Sequence, residues 1–233
     1  MIYPAKYRDS FGEEITQIKN DGQELRILLR GILFLGNDFD MLSPQIDLNS
    51  PELATFTLVD GTPCNCEIEC EMPMPMATGE TGTLFVHLTL GAPLPNGALD
   101  NELVRLRLQF GGLQFESAGK HGYFEDELWD IEHQLPQENY MKCCLNCAFS
   151  DYFPAGSGLF GHMACFRDSK EAYRKVRGKG DLFQIWEKRT AYVQETFLCP
   201  DFEKRIPGTV IVANCKKQLF VFNSTLASKL VII

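Results

Sequence analysis

The chain has 233 residues, 45% of them hydrophobic and 23% charged, with a formal net charge of -9. This size and composition belong to globular proteins of one large domain or two small ones, with enough chain to bury a core without disulfide staples. The acidic balance argues against broad electrostatic attachment to nucleic acid or anionic membrane and leaves only a local basic surface for such roles. Residues 1–10 hold Lys6, Arg8 and two tyrosines but no apolar run. Neither a secretory signal nor a membrane span is expected there, and a cytoplasmic location is.

Residues 13–117 alternate with period two between turn signals, which predicts antiparallel β structure. Asp21-Gly22 separates a strand over 14–18 from one over 25–29, where Leu25, Ile27 and Leu29 face one way and Arg26 and Arg30 the other. A further strand carries Ala54, Phe56 and Leu58 towards Asp60-Gly61. Cys64, Cys66 and Cys70, beside Met72, Met74 and Met76, have the softness that selects copper(I). Their parity says otherwise: Cys64, Cys66, Ile68, Cys70 and Met72 share one side and Asn65, Glu67, Glu69 and Glu71 the other, as in a half-buried strand. Runs over 84–90 and 104–110 alternate in the same way. Five to seven such strands imply a β-sandwich or open barrel over residues 1–120.

At Gly122 the period becomes helical. Phe124, Leu128, Ile131 and Leu135 form one stripe, ended by Pro136, while Glu125, Asp126, Glu127, Asp130 and Glu132 form an opposite face expected to be solvated. Two more helices are predicted over 168–177 and 181–189, broken at Gly178-Lys179-Gly180. Between 166 and 189 eight Lys or Arg stand against four Asp or Glu, a local basic excess. Residues 210–233 are apolar and rich in β-branched side chains but interrupted by Asn214, Lys216, Lys217 and Lys229, which predicts a closing strand pair and no bilayer span.

Nine cysteines form an odd set, so metal ligation and plain burial must account for most of them. Cys144, Cys147, His162 and Cys165 spell C-x2-C-x14-H-x2-C. Two short turns, each offering a pair of donors, are how a chain builds a tetrahedral zinc site, and four protein ligands leave no position for a reactive water. A structural Zn2+ is therefore expected on these four residues. Cys143 competes with Cys144 for the first place, and Cys199, before Pro200, can replace His162 if the chain folds back. The run Gly156 to Gly161 spells G-x-G-x-x-G, but no parallel strand precedes it, and glycines between two ligand pairs more simply permit turns. Among the histidines, His87 falls outward on a strand and His133 near a helix end. His121, beside Glu125 and Asp126 at the junction of the two halves, is the one candidate general base.

Several stretches resemble an uncharacterised bacterial family of unassigned function: Gly122 to Leu128, Cys144-Leu145-Asn146-Cys147 with Ser150-Asp151-Tyr152, Gly158 to Gly161, Cys165-Phe166-Arg167, and Gln194-Glu195-Thr196 with Leu198-Cys199-Pro200. The resemblance implies that cysteine often stands where this chain has His162, which favours a ligand role there. It also implies that relatives end soon after a sequence like Pro207-Gly208-Thr209, so residues 210–233 form a separate tail. It implies no activity.

The sequence thus predicts an α+β protein: an antiparallel β-sandwich or open barrel over 1–120, a small α-helical zinc-binding module over 121–209, and a β-rich tail over 210–233. The expected role is non-enzymatic binding of another protein, as in a toxin-immunity or defence-system component. Two alternatives are a nucleic-acid adaptor using Arg167, Lys170, Arg174, Lys175, Arg177 and Lys179, and a hydrolase-type enzyme at the junction of the halves.

Overall fold

A computed structural model describes residues 1–136, 138–153 and 158–206. The expected strand pair over 210–233 lies outside the described residues.

Residues 1–10, notable in the sequence only for lacking an apolar run, form a central strand, β1 (Ile2–Asp9), in which Tyr3, Ala5 and Tyr7 are buried. Pro4 is tolerated because pairing of β1 with its neighbour on one side stops at Ala5. β2 (Gly12–Asn20) and β3 (Leu25–Leu29) flank the expected turn, where Asp21 Oδ1 accepts the backbone N–H groups of Gln23 and Glu24. Arg30 and Gly31, both at positive φ (48° and 81°), turn the chain into β4 (Ile32–Gly36), and β5 (Ser43–Pro44) closes that edge. The strand expected through Ala54, Phe56 and Leu58 does not form. Pro51–Thr55 is a 3-10 helix with proline in its first turn, and only β6 (Leu58–Val59) pairs, with β7 (Thr62–Pro63), around Asp60 and Gly61. Phe56 instead packs edge-on against Phe34, with ring centroids 5.3 Å apart.

β8 (Cys66–Pro75), β9 (Thr81–Leu90), β10 (Glu102–Phe110) and β11 (Leu113–Glu116) complete a nine-stranded antiparallel sheet in the order β11-β10-β9-β8-β1-β2-β3-β4-β5. Its end strands lie at opposite edges, so it is one unclosed sheet, which excludes the two-sheet sandwich of the expected sandwich or open barrel. The alternation explains why a second large sheet is unnecessary: one face is apolar and must be covered, while the other is polar enough to face water. Cys66, Cys70, Met72 and Met74 all point into the covered face, as their parity predicts; Cys64 is buried just outside the strand, before Asn65 at φ 49°.

The cover comes from the excursion between β4 and β8 and from the chain after residue 120. α1 (Phe124–Glu132) buries Phe124, Leu128 and Ile131. Its acidic side is not simply solvated, since Glu127 is fully buried and Glu125 nearly so. β12 (Ser150–Tyr152), β13 (Met163–Cys165) and β14 (Ala191–Val193) make a three-stranded antiparallel sheet. The two helices predicted after Cys165 are shorter than expected, reduced to α2 (Lys170–Tyr173) and α3 (Lys179–Ile185) with 3-10 turns at Arg167–Ser169 and Trp186–Lys188. The result is an α+β fold with few helices. Its main core is continuous across residue 120, because Phe124, Leu128, Met141, Cys143, Leu145 and Phe160 belong to the same packed cluster as the sheet.

At the far turn of the sheet, Arg30 donates to both oxygens of the wholly buried Asp9 carboxylate, at 2.8 and 2.6 Å, and lies 4.8 Å from the Phe56 ring centroid. Burial alone would raise the Asp9 carboxyl; the guanidinium and the Phe11 N–H outweigh it and hold it below its usual range.

One-sided burial predicts asymmetric tolerance to substitution. Leu88→Ala, at a fully buried site in β9, is expected to cost about 2–5 kcal/mol in urea denaturation, whereas Ile15→Ala on the open face should stay within about 0.5 kcal/mol of wild type.

Candidate functional site

The cysteine region is assembled by backbone pairing. Cys144–Asn146 forms a 3-10 turn in which Cys147 N donates to Cys144 O at 3.1 Å. Beside it runs a strap from Glu195 to Arg205. Leu145 N donates to Glu195 O, Cys144 N to Phe197 O, Ala148 N to Glu203 O and Arg205 N to Asn146 O, at 2.7 to 3.1 Å. Cys147 also bridges Lys204. On the other side, β12 pairs Ser150 with Cys165, Phe166 N donates to Phe149 O, and Thr190 N to Cys165 O.

This framework gathers thiols. Cys144, Cys147 and Cys165 are buried, Cys144 and Cys165 lie in one packed cluster, and half-buried Cys199 from the strap packs on it. Burial pushes the Cys144 thiol well up, and Cys147, Cys143, Cys165 and Cys199, in that order, add to the rise. Burial also raises Cys165, against the Arg167 backbone N–H and guanidinium, which favour its thiolate. Arg167 Nη1 lies 3.7 Å from Cys199 Sγ. Cys143 instead points into the main core, where burial and then Glu132 push its thiol up to about 12. Of the four residues the spacing singles out, Cys144 and Cys165 share a packed cluster and Cys147 is buried in another.

His162 stands elsewhere. Its Nδ1 is 3.3 Å from Oδ2 of Asp38, a carboxylate with no exposed side-chain surface, in an ion pair that lacks hydrogen-bond alignment. Asp38 also accepts Phe39 N at 2.7 Å and Phe160 N at 3.0 Å. A Cβ on Gly158 would overlap the His162 ring and Asp38 Oδ2, and one on Gly161, at φ +83°, would strike Asn37 O. These glycines let the backbone close on the buried pair. Around it is an acidic group that sequence reasoning missed. Burial and then Asp38 push Asp40 up to about 8 and also raise Glu102. Fully buried Glu195, which accepts Gly161 N at 2.8 Å and Tyr152 Oη–H at 3.0 Å, is pushed by burial up to about 7. Asp38 raises His162 as well, against burial, which lowers it. Pattern analysis treats acidic residues as surface residues, so only the buried Gln194-Glu195-Thr196 stretch within the resemblance gave any signal.

Two other groups have three donor atoms within 4.8 Å of one another: Glu67, Glu69 and His87 on the open sheet face, and His121, Glu127 and Asp130 beside α1. Among the described residues no trio of thiols is that compact. The first group is engaged in cross-strand ion pairs, Glu67 with Arg8 and His87, and Glu69 with Lys6. In the second, Glu127 accepts the N–H groups of Gly119, Lys120 and His121 at 2.7 to 3.0 Å, which ties the loop to the helix. The donors near His121 are thus Glu127 and Asp130, where the sequence pointed to Glu125 and Asp126. His133 caps α1 and stacks on Trp129.

Much of the basic segment is also engaged internally. Lys170 and Arg174 pair with Glu203 and lie over the Phe149 ring, and Arg177 donates to the carbonyls of Arg174 and Val176.

The buried acids give a sign to the pH dependence. Asp40, Glu195 and His162 all have raised folded-state values, so the folded protein holds their protons more tightly than the unfolded chain. Their contribution is complete below the unfolded values, about 4 for carboxyls and about 6.5 for histidine. It is lost as pH rises through 7 to 8 for the two acids. Asp40→Asn is therefore expected to flatten the fall in urea midpoint between pH 5 and pH 8.5 relative to wild type, and an unchanged slope would contradict this assignment.

No curated protein and no solved structure matches the chain. Residues 1–150 match the family of unknown function DUF6304, a span that takes in the large sheet, α1 and the Cys144 to Cys147 turn. With 150 of its 233 residues matched, the chain belongs to the DUF6304 family.

Proposed function

We propose that the protein is a non-enzymatic binding protein that presents the open face of its sheet to another protein and whose C-terminal cover is fastened by a structural zinc ion. The observation that carries the reading is that open face. Ile15, Leu28 and Leu33, at 76, 53 and 40% exposure, stand together on β2, β3 and β4. They line a shallow groove of about 660 Å³ with Gln17, Lys19 and Arg26. Next to it, Lys6, Glu69, His87, Arg105 and Arg107 surround Phe85 in a second groove, with Arg107 4.4 Å from the ring centroid. Apolar centres ringed by charge of both signs are the make-up of protein-binding surfaces.

The zinc part of the reading is supported by donor chemistry. Buried thiols of Cys144, Cys147 and Cys165, carried on segments joined by backbone hydrogen bonds, suit a structural Zn2+ better than any hard cation. The ion would supply cross-linking of the cover, and the residues would supply position and exclusion of water. A toxin-neutralising or defence-system role is the narrower form of this proposal. The nucleic-acid reading has less support, since its cations at Arg167, Lys170, Arg174 and Arg177 have internal partners.

Affinity capture from native lysate with wild type and an Ile15→Glu/Leu28→Glu variant tests the surface. The variant should keep the wild-type denaturation midpoint, because both side chains are exposed, and lose the captured partner. Equal capture by both would exclude this face as the contact, and no partner at all, under conditions where a known complex survives, would count against the binding role.

A further inference from the structure

We infer that Cys199, and not His162, completes a tetrathiolate zinc site with Cys144, Cys147 and Cys165. The inference rests on the zinc reading above and fixes its donor set.

Strand parity decides against His162. A C-x2-C pair can aim both donors at one ion when the chain between them turns, as it does at Cys144–Asn146. The chain between His162 and Cys165 is instead the extended strand β13 (Met163–Cys165). Alternation places Met163 and Cys165 on one side of this strand and Ala164 on the other. Residue 162 falls with Ala164, opposite Cys165. Its imidazole accordingly faces Asp38, at 3.3 Å, a partner that belongs to the excursion between β4 and β5.

Cys199 reaches both halves of the site. The strap that carries it is bonded to the first ligand turn on either side of it, through Phe197 O to Cys144 N and Glu203 O to Ala148 N. It also packs on the cluster that holds Cys144 and Cys165. The second link is Arg167, two residues beyond Cys165, whose Nη1 lies 3.7 Å from Cys199 Sγ. Four thiolates around Zn2+ carry a net double negative charge in a mostly buried place, and a guanidinium donating to one sulfur offsets part of it. Zn2+ held by Cys144, Cys147, Cys165 and Cys199 would cross-link the turn, β13 and the strap, and each thiol would give up its proton to solvent as it binds.

The test uses the full chain, purified without added metal, with zinc measured by mass spectrometry and the site probed by cobalt(II) absorption. Wild type and His162→Ala are expected to hold one zinc per chain. Cys199→Ser should lose zinc affinity by more than the roughly 10–100-fold that removal of a supporting outer group costs. Because Cys199→Ser can fail to fold, Cys199→His serves as the second variant: it keeps a donor, and should bind cobalt with weaker sulfur-to-metal charge transfer than wild type. Loss of zinc from His162→Ala with retention in Cys199→Ser, or an unchanged cobalt spectrum in Cys199→His, would overturn the donor set. A wild type without zinc would instead overturn the zinc reading itself.

Discussion

One face of a nine-stranded sheet has to be kept from water, and the rest of the chain is organised by that requirement. Strands β1, β2, β3, β8, β9 and β10 each send alternate side chains to the same side, where Tyr7, Ile27, Ile68, Leu88 and Leu108 are essentially inaccessible. A sheet of this width without a second large sheet must be covered by irregular chain and short helices. Phe39, Leu42, Leu53 and Phe56 of the excursion after β4, α1, and Met141, Cys143, Leu145, Leu159 and Phe160 pack into one cluster with the sheet. Apolar burial supplies the driving force, but it is non-directional and does not by itself fix a cover made of loops.

Directional ties fix it. Asp38 gathers the Phe39 and Phe160 amides and His162. Glu195 holds Gly161 and Tyr152, and Glu127 holds three successive amides of the loop before α1. Each is a buried acid whose hydrogen bonds offset part of the cost of burial; at Glu195 burial still outweighs them. Asn20, at the end of β2, links the sheet to the same layer by donating to Gln194 at 2.6 Å. The proposed tetrathiolate would add a metal-ligand tie joining the turn at Cys144, the end of β13 and the strap at Cys199. His162, freed of metal, becomes a partner of Asp38 and part of the link between the cover and the sheet.

The sheet was legible wherever a strand keeps strict alternation. β3, β8, β9 and β10 follow their hydrophobic parity, and the buried cysteines of β8 are placed by it. β1 was missed although Tyr3, Ala5 and Tyr7 alternate with Pro4, Lys6 and Arg8, because a proline reads against a central strand, and Pro4 is tolerated only where pairing on one side has ended. The segment at Ala54 to Leu58 was misread because Pro51 starts a 3-10 helix there, and period two over three residues cannot distinguish the two. The burial of Glu127 and Glu195 has no periodic signature, since what offsets it comes from the fold: three loop amides at Glu127, and the Gly161 amide and Tyr152 hydroxyl at Glu195. Among the metal candidates, spacing found the donors carried by a turn. It could offer Cys199 only on condition that the chain folds back, which the strap does, and it treated His162 and Cys165 as a turn although the chain there is extended.

X-ray absorption at the zinc edge of the purified wild-type protein tests the central claim most directly, because it reads the donor atoms without any substitution. A shell of four sulfurs at about 2.3 Å is the predicted result. A shell of three sulfurs with one nitrogen at about 2.0–2.1 Å would contradict it and return the fourth place to a histidine.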